Sequence, residues 1–374
     1  MLLITAQKLL VRLVMLIGNI VVYSAAAATV TASSPLPAIE MSAVHDLYIS
    51  TRGEHWIWRP DIINVGSSWD FTKNASTGDY LYNPCGSDVN IQWQRITCSA
   101  LPTVVRLDLA QCNLTGTLPD SVGQLSNLTH FAIWENHLTG FIPSAIGELH
   151  QLKVFDIGRN ELSGSIPITL SKLTVLEELW LSENFLTHSI PPELSVLSRL
   201  QFLNIALTYL TGTIPPSLGM LGDLILLGLD NTILSGSIPP ELGKLEKLEI
   251  LGISNCGFSG TIPSELGNLR SLVYMYLQSN QLTGSLFPEL SQLINVEFFY
   301  ISNQWLSGSL PRELGYLVLL NSLYLDNNEF TGSIPMELNS CLSLEILRLQ
   351  RNLLTGDLTG RFGGLLPMLQ NVDF

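Results

Sequence analysis

From Leu107 to Leu349 the chain repeats itself every 24 residues, with no insertion or deletion between copies. The clearest copies are Leu323-Tyr-Leu-Asp-Asn-Asn328-Glu-Phe-Thr-Gly332-Ser-Ile-Pro335 and Phe155-Asp-Ile-Gly-Arg-Asn160-Glu-Leu-Ser-Gly164-Ser-Ile-Pro167. A fixed period constrains folding more tightly than composition does. Each copy is a unit too small to bury its own apolar face, so the copies must stack and share one core. The product is an extended display surface, and the function class it favours is binding.

Within each copy the Leu-x-Leu segment reads as a short strand whose alternate residues face opposite ways. In Glu178-Leu179-Trp180-Leu181-Ser182 the leucines point into the coil, and Glu178, Trp180 and Ser182 point outward. The strand ends at a position filled by Asn136, Asn160, Asn184, Asn280, Asn328, Asn352 and the longer Gln304. A carboxamide both donates and accepts, so it can satisfy backbone groups of neighbouring coils that burial would otherwise orphan. Cys112, Thr208, Thr232 and Cys256 replace it elsewhere, and the ladder is expected to weaken at the adjacent Thr208 and Thr232. Gly then permits a left-handed turn and Pro fixes the next bend, as in Leu234-Ser-Gly236-Ser-Ile-Pro239. The return segment, such as Leu242-Gly-Lys-Leu245-Glu-Lys-Leu248, spaces its apolar residues for a helical or 3₁₀ turn. With strands about 4.8 Å apart, eleven copies give a parallel sheet roughly 50 Å long.

The Leu-x-Gly-x-Ile-Pro element resembles the plant-type leucine-rich repeat subclass, found in receptor-like kinase ectodomains, receptor-like proteins and secreted polygalacturonase inhibitors. The resemblance covers residues 104–374, as eleven full repeats and a truncated twelfth. It implies an α/β solenoid: a right-handed superhelix with a parallel concave sheet, a 3₁₀ or helical convex side and an N-terminal cap. It is far less specific for function, because the shared residues are structural. Departures are local: His188 stands where Gly is usual, and in Gly284-Ser-Leu-Phe287-Pro288 the proline comes one residue late.

Residues 1–28 read as a targeting segment, with basic Lys8 and Arg12, an apolar run from Leu13 to Tyr23, and alanines at 25–28. The segment serves as a signal peptide or as a signal anchor. Residues 29–38 read as a flexible lead-in and 39–103 as the N-terminal cap, with a short amphipathic helix around Ala43–Tyr48 ended by Thr51-Arg-Gly53, then Trp56, Trp58 and Trp69. The pattern Leu47-Tyr48-x-x-Thr51-x-Gly53-x-x-Trp56 resembles caps of secreted repeat proteins from algae and other protists as much as those of land plants. Cys85 through Trp93-Gln-Arg-Ile-Thr-Cys98 resembles the Cys…Trp-x-Gly-Val-x-Cys module of plant-type caps, with Arg95 replacing its Gly, and we pair Cys85 with Cys98 as a disulfide. Cys112, Cys256 and Cys341 read as buried thiols. Asn74, Asn113 and Asn127 begin Asn-x-Ser/Thr sequons, expected glycosylation sites on a secretory route. At the other end, Leu369, Val372 and Phe374 echo the repeat one residue late. The sequence then stops inside a twelfth strand, as a truncated ectodomain would.

The net charge of −14 argues against nucleic acid or an anionic membrane as partner. A protein, peptide or glycan ligand is expected, with membrane contact only through an uncleaved anchor or a span beyond Phe374. The outward position between the two strand leucines carries Tyr276, Tyr300 and Tyr324 in three consecutive copies, followed by Arg348. Tyr274 and Phe298 widen that strip; Gln278, Ser302, Asp326 and Gln350 lie beside it, and Arg351 stands with Arg348 at its end. Trp134 and Trp180, with Phe202, form a second aromatic group. Gly228 and Gly252 between the groups leave low relief for a ligand backbone. Tyrosines of this kind suit contact with sugars or peptides, and equally suit a strand. No nucleophile–base pair, metal-ligand spacing or phosphate loop occurs, so no cofactor, metal or catalytic residue is expected. A kinase would have to lie beyond Phe374. The expected function is extracellular recognition by a receptor-like ectodomain. The alternatives are a secreted inhibitor of a cell-wall hydrolase or a matrix adhesion protein, at the cell surface or outside it.

Overall fold

A computed structural model describes residues 36–57, 68–76, 84–85, 95–99 and 102–356, and the backbone of 371–373. The targeting segment, Trp58 and Trp93 lie outside the described residues. The repeats form a solenoid whose inner sheet has twelve parallel strands, from Val104–Asp108 to Ile346–Arg348 and Asn371–Asp373. Strands pair copy to copy in strict register, Tyr276 with Tyr300 and Tyr300 with Tyr324. The last pairing sets Leu347 against Val372, 25 residues on, which is the one-residue delay read in the sequence.

The strand leucines and the Leu and Ile of each return segment close a continuous core, joined by fully buried Phe131, Phe155, Phe258, Phe299 and Phe330. Phe131 and Phe155 stack across adjacent coils with ring centroids 5.8 Å apart. The return segments settle as five-residue 3₁₀ helices, such as Pro240–Lys244 and Met336–Ser340. A second sheet, absent from the sequence reading, runs along the solenoid where each Leu-Ser/Thr-Gly turn leaves the core. It has seven strands from Thr211–Gly212 to Leu353–Leu354, preceded by two two-stranded pieces. The turn frees backbone donors toward the preceding coil, as in Tyr209 N–H to Leu186 O at 2.8 Å.

The carboxamide ladder is observed directly. Asn184 Oδ1 accepts from Leu162 N–H at 3.0 Å, while its Nδ2 donates to Ile157 O of the preceding coil at 3.0 Å and to Leu181 O at 3.1 Å. Thr208 donates only within its own coil, to Ile205 O at 2.8 Å. Thr232 does likewise toward Leu229 O at 2.9 Å, and its hydroxyl meets the Cys256 sulfur at 3.2 Å. Cys256 does bridge, donating to Leu229 O at 3.3 Å. The expected weak joint is therefore present at Thr208. His188 adopts φ +69°, in the left-handed region where its counterparts Gly164 and Gly212 sit at +77° and +84°. Phe287 takes φ −118° in place of proline, and the 3₁₀ helix still begins at Pro288.

The described part of the cap is a helix, Ala38–Ser50, longer than the sequence indicated. Its Met41, Ala43, Val44 and Leu47 pack on the first repeats, and the buried Glu40 accepts from Val104 N–H at 2.8 Å. Tyr48, Trp56, Trp69 and Phe71 cluster behind it, with Trp56 and Trp69 centroids 4.8 Å apart. Gly53 is required there, since a Cβ would lie 2.0 Å from the Tyr48 ring. Strand Ile96–Cys98 runs antiparallel on Val104–Asp108 and closes the first edge of the inner sheet. Arg95, at φ +62°, explains its own departure from Gly: its Nη1 donates to the carbonyls of Asp108 and Ala110 at 3.2 and 3.0 Å. Cys85 and Cys98 are disulfide-bonded, with Cα atoms 5.6 Å apart.

Candidate functional site: the concave sheet

Each inner strand offers its first, middle and last residue positions to the concave side. In the C-terminal half the middle positions bring Tyr276, Tyr300, Tyr324 and Arg348 side by side, as the in-register pairing requires. Tyr300 and Tyr324 stack at 4.2 Å and 13°, and the Arg348 guanidinium lies 4.4 Å from the Tyr324 ring centre. Tyr274 and Phe298 stack at 4.8 Å and 7° in the neighbouring row, and Tyr276 meets Tyr300 edge-on at 5.2 Å. The rings thus spend their faces on one another and on Arg348. Tyr276 and Tyr324 are buried in this packing, while Tyr300 remains half-exposed. Burial, followed by the neighbouring Tyr324, pushes the Tyr300 phenol up to about 12, so it stays a neutral hydrogen-bonding hydroxyl at any physiological pH. Burial raises Tyr276 further.

This packing bears on ligand chemistry. A sugar docks on the open face of an aromatic ring, and the strip offers edges and hydroxyls instead. The polar row beside it is unusual in another respect. Gln278 Oε1, Asp326 Oδ1 and Gln350 Oε1 are buried without a hydrogen-bond partner, as is Arg348 Nε. Buried polar atoms are nearly always paired, because an unpaired one costs on the order of 1–3 kcal/mol. Four such atoms collect on one stretch of four strands. The fourth residue of the row, Ser302, receives only a long contact of 3.5 Å from Asn303 Nδ2.

The N-terminal half differs. Trp180 and Phe202 stack at 5.8 Å, and Trp180 Nε1 donates to Glu178 Oε2 at 2.9 Å. Trp134 does not join them: it sits two strands away in the row beyond Ala132, and among the described residues no ring contact links it to Trp180. Asp156 Oδ1 accepts from Gly158 N–H at 3.0 Å, and Asn204 Oδ1 from Ala206 N–H at 3.1 Å. Burial raises the Asp156 carboxyl to about 7, with its backbone hydrogen bond opposing.

The glycine stretch needs correction. Gly228 and Gly252 are buried, not open. A Cβ on Gly228 would meet the Asn204 carboxamide at 2.9 Å, and one on Gly252 would meet Asp230 Oδ2 at 2.1 Å. The glycines make room for Asn204 and Asp230 to fold over the sheet. Asp230 accepts from Ser254 N–H at 2.8 Å and from its hydroxyl at 2.5 Å, and burial pushes its carboxyl up to about 6. Beside them Leu226 and Ile250 fill the first row between Phe202 and Tyr274, so an apolar row joins the two aromatic groups. Sequence periodicity contained this row, but aromatic residues alone drew attention. Among the described residues no three His, Cys, Asp or Glu side chains gather in a metal-holding arrangement.

Fold and repeats together define a leucine-rich repeat protein. The Leucine Rich Repeat family model matches residues 103–125, 151–173, 175–197, 247–269, 271–293 and 319–341. A leucine-rich repeat protein of Leptospira interrogans is 31% identical, with 72% of this chain and 71% of that one covered and a TM-score of 0.58. The chain belongs to the leucine-rich repeat family. Within it, the chain is similar to plant receptor ectodomains. The plant peptide hormone receptor RGFR1, solved in complex with RGF2, is 39% identical, at TM-score 0.71, over 72% of this chain and 43% of that one. The ectodomain of the Arabidopsis receptor kinase HAESA, solved with an IDA peptide hormone, is 35% identical, at TM-score 0.64, over 70% of this chain and 44% of that one. The chain therefore spans less than half the length of these receptor structures.

Proposed function

We propose that this protein is an extracellular recognition module, the ligand-binding ectodomain of a receptor-like protein, and that it binds a peptide or protein segment on the C-terminal half of its concave sheet. One observation carries the reading. The stacked strip of Tyr274, Tyr276, Phe298, Tyr300 and Tyr324 stands beside buried polar atoms that lack partners, and a ligand lying across the strands would supply them. The likeness to peptide-bound plant receptors supports the same ligand class. The occupied ring faces favour a peptide over a glycan. Trp180 and Trp134 lie at the far end of a longer ligand, since Trp180 Nε1, Asp156 Oδ1 and Asn204 Oδ1 find partners within the protein.

An extracellular setting agrees with the disulfide and with where the sequons fall. Asn74 and Asn127 are exposed and Asn113 is half-exposed at the outer turn, so glycans on all three would leave the concave sheet clear. No helix among the described residues is long and apolar enough to cross a membrane.

The test is a displayed library of random peptides panned on the purified chain. Specific peptides should be enriched by wild type, and the Tyr276, Tyr300 and Tyr324→Ala triple variant should lose them while retaining its circular dichroism spectrum. Enrichment that survives the triple variant would refute the site. Failure of wild type to enrich any peptide would refute the peptide reading.

A further inference from the structure

Resting on the reading above, we infer that Asp326 and Gln350 form a subsite for a basic side chain of the bound peptide, with Asp326 as its counter-charge. The two belong to one row of the sheet, carried by neighbouring strands in register about 4.8 Å apart, with Gln278 in the same row two strands from Asp326. Asp326 is 8% exposed, and Asp326 Oδ1 and Gln350 Oε1 are both buried with no donor. Asp326 is the anchor. A glutamine amide can present either end to a neighbour, whereas an ionised carboxylate only accepts. One Asp326 oxygen is already used, by Asn327 Nδ2 at 2.8 Å, and the other is buried without a partner.

The protein's own cations do not answer this need. Arg348 is committed to the Tyr324 ring, with its Nε unpaired. Arg351 turns to the rim, where its Nη1 donates to Asn327 Oδ1 at 3.2 Å. Asp326 keeps an unanswered lone pair beside the Gln350 acceptor on the next strand, and an ammonium or guanidinium from outside satisfies both with charge-assisted bonds. Burial holds the carboxyl above its ordinary value, opposed first by its own backbone N–H and by Asn327 and then by Arg348 and Arg351, so an incoming cation also stabilises its ionised form. Asp156, in the neighbouring row, differs in that its Oδ1 is bonded by Gly158 N–H and neither of its oxygens is buried without a partner.

The experiment uses the full chain and an array of synthetic peptides built on any sequence enriched in the library. Each position is varied through Lys, Arg, Gln, Leu and Glu. Wild type should prefer Lys or Arg over Glu by at least about tenfold at one position. Asp326→Asn should abolish that preference while still retaining the Leu and Gln peptides. Asp156→Asn, a control in the closed half, should leave the preference unchanged. A basic preference that survives in Asp326→Asn, or the absence of one in wild type, overturns the subsite while leaving peptide recognition standing. If no peptide binds wild type, recognition and subsite fall together. Thermal melts of both variants exclude misfolding as the cause.

Discussion

The two halves of the concave sheet share one backbone and one repeat, yet treat their polar groups in opposite ways. Around Asp156, Asn204 and Asp230 each carboxyl or amide oxygen folds back on a nearby N–H or hydroxyl. Around Gln278, Asp326 and Gln350, in the row that Asp230 shares, one oxygen of each is buried and faces no donor. A local turn closes Asp156 and Asn204, because Gly158 and Ala206 follow two residues after their acceptors, whereas Asp230 is closed by Ser254 on the next coil. The second set is crowded by tyrosines that fix the row's geometry. A protein tolerates unpaired buried acceptors only against a stability cost, and binding sites are where that cost is commonly found. The difference supports placing the proposed ligand on the C-terminal half.

The largest effect expected from disturbing this contrast is on binding. Truncating Tyr276, Tyr300 and Tyr324 together should weaken peptide capture by about 100-fold or more, as loss of a central aromatic cluster does. Tyr300→Ala alone should cost more than about 1 kcal/mol. Titration calorimetry with an enriched peptide decides the matter, and equal affinity would place the site elsewhere.

The next test concerns the closed half and pH. The folded Asp156 carboxyl sits near 7, above its ordinary 3.8. Folding therefore favours the protonated acid. Its contribution is fully present below about pH 4 and is lost as pH rises toward 7. Asp156→Asn should melt several degrees higher than wild type at pH 8 and match it near pH 4. A difference that does not change with pH would mean that the group stays ionised in the fold.

A paired substitution then compares the halves directly. Asn204→Leu leaves Ala206 N–H unpaired and should destabilise by about 2 kcal/mol. Gln278→Met removes an acceptor that already lacks a partner and should be neutral or stabilising by about 1 kcal/mol. Denaturant midpoints measure both, and destabilisation by Gln278→Met as large as by Asn204→Leu would erase the contrast. The smallest effect lies off the concave face. His188→Gly relieves a left-handed side-chain conformation and should raise stability by about 1 kcal/mol, visible as a small upward shift in melting temperature.

Much of this was legible in the residues themselves. The 24-residue period fixed which side chains enter the core and which share a row, because strand alternation and in-register stacking leave no other choice. That is why Tyr276, Tyr300 and Tyr324 were predictable neighbours, why Asn184 was readable as a bridge between coils, and why Thr208 was readable as a gap in the ladder. Pairing Cys85 with Cys98 followed from the cap's resemblance to known modules. Other features depend on distances that no spacing encodes. The outer sheet arises from hydrogen bonds between turns of adjacent coils, which a single copy cannot show. The folding of Asn204 over Gly228 and of Asp230 over Gly252 is a matter of rotamers and vacant volume, so the glycines looked open until the neighbours were in place. Whether a tyrosine shows its face or its edge, and whether Asp326 or Asp156 finds a donor, was settled only by packing. Periodicity assigns a residue to a row, but hydrogen bonding and stacking act over a few ångströms, and only the assembled solenoid sets those distances.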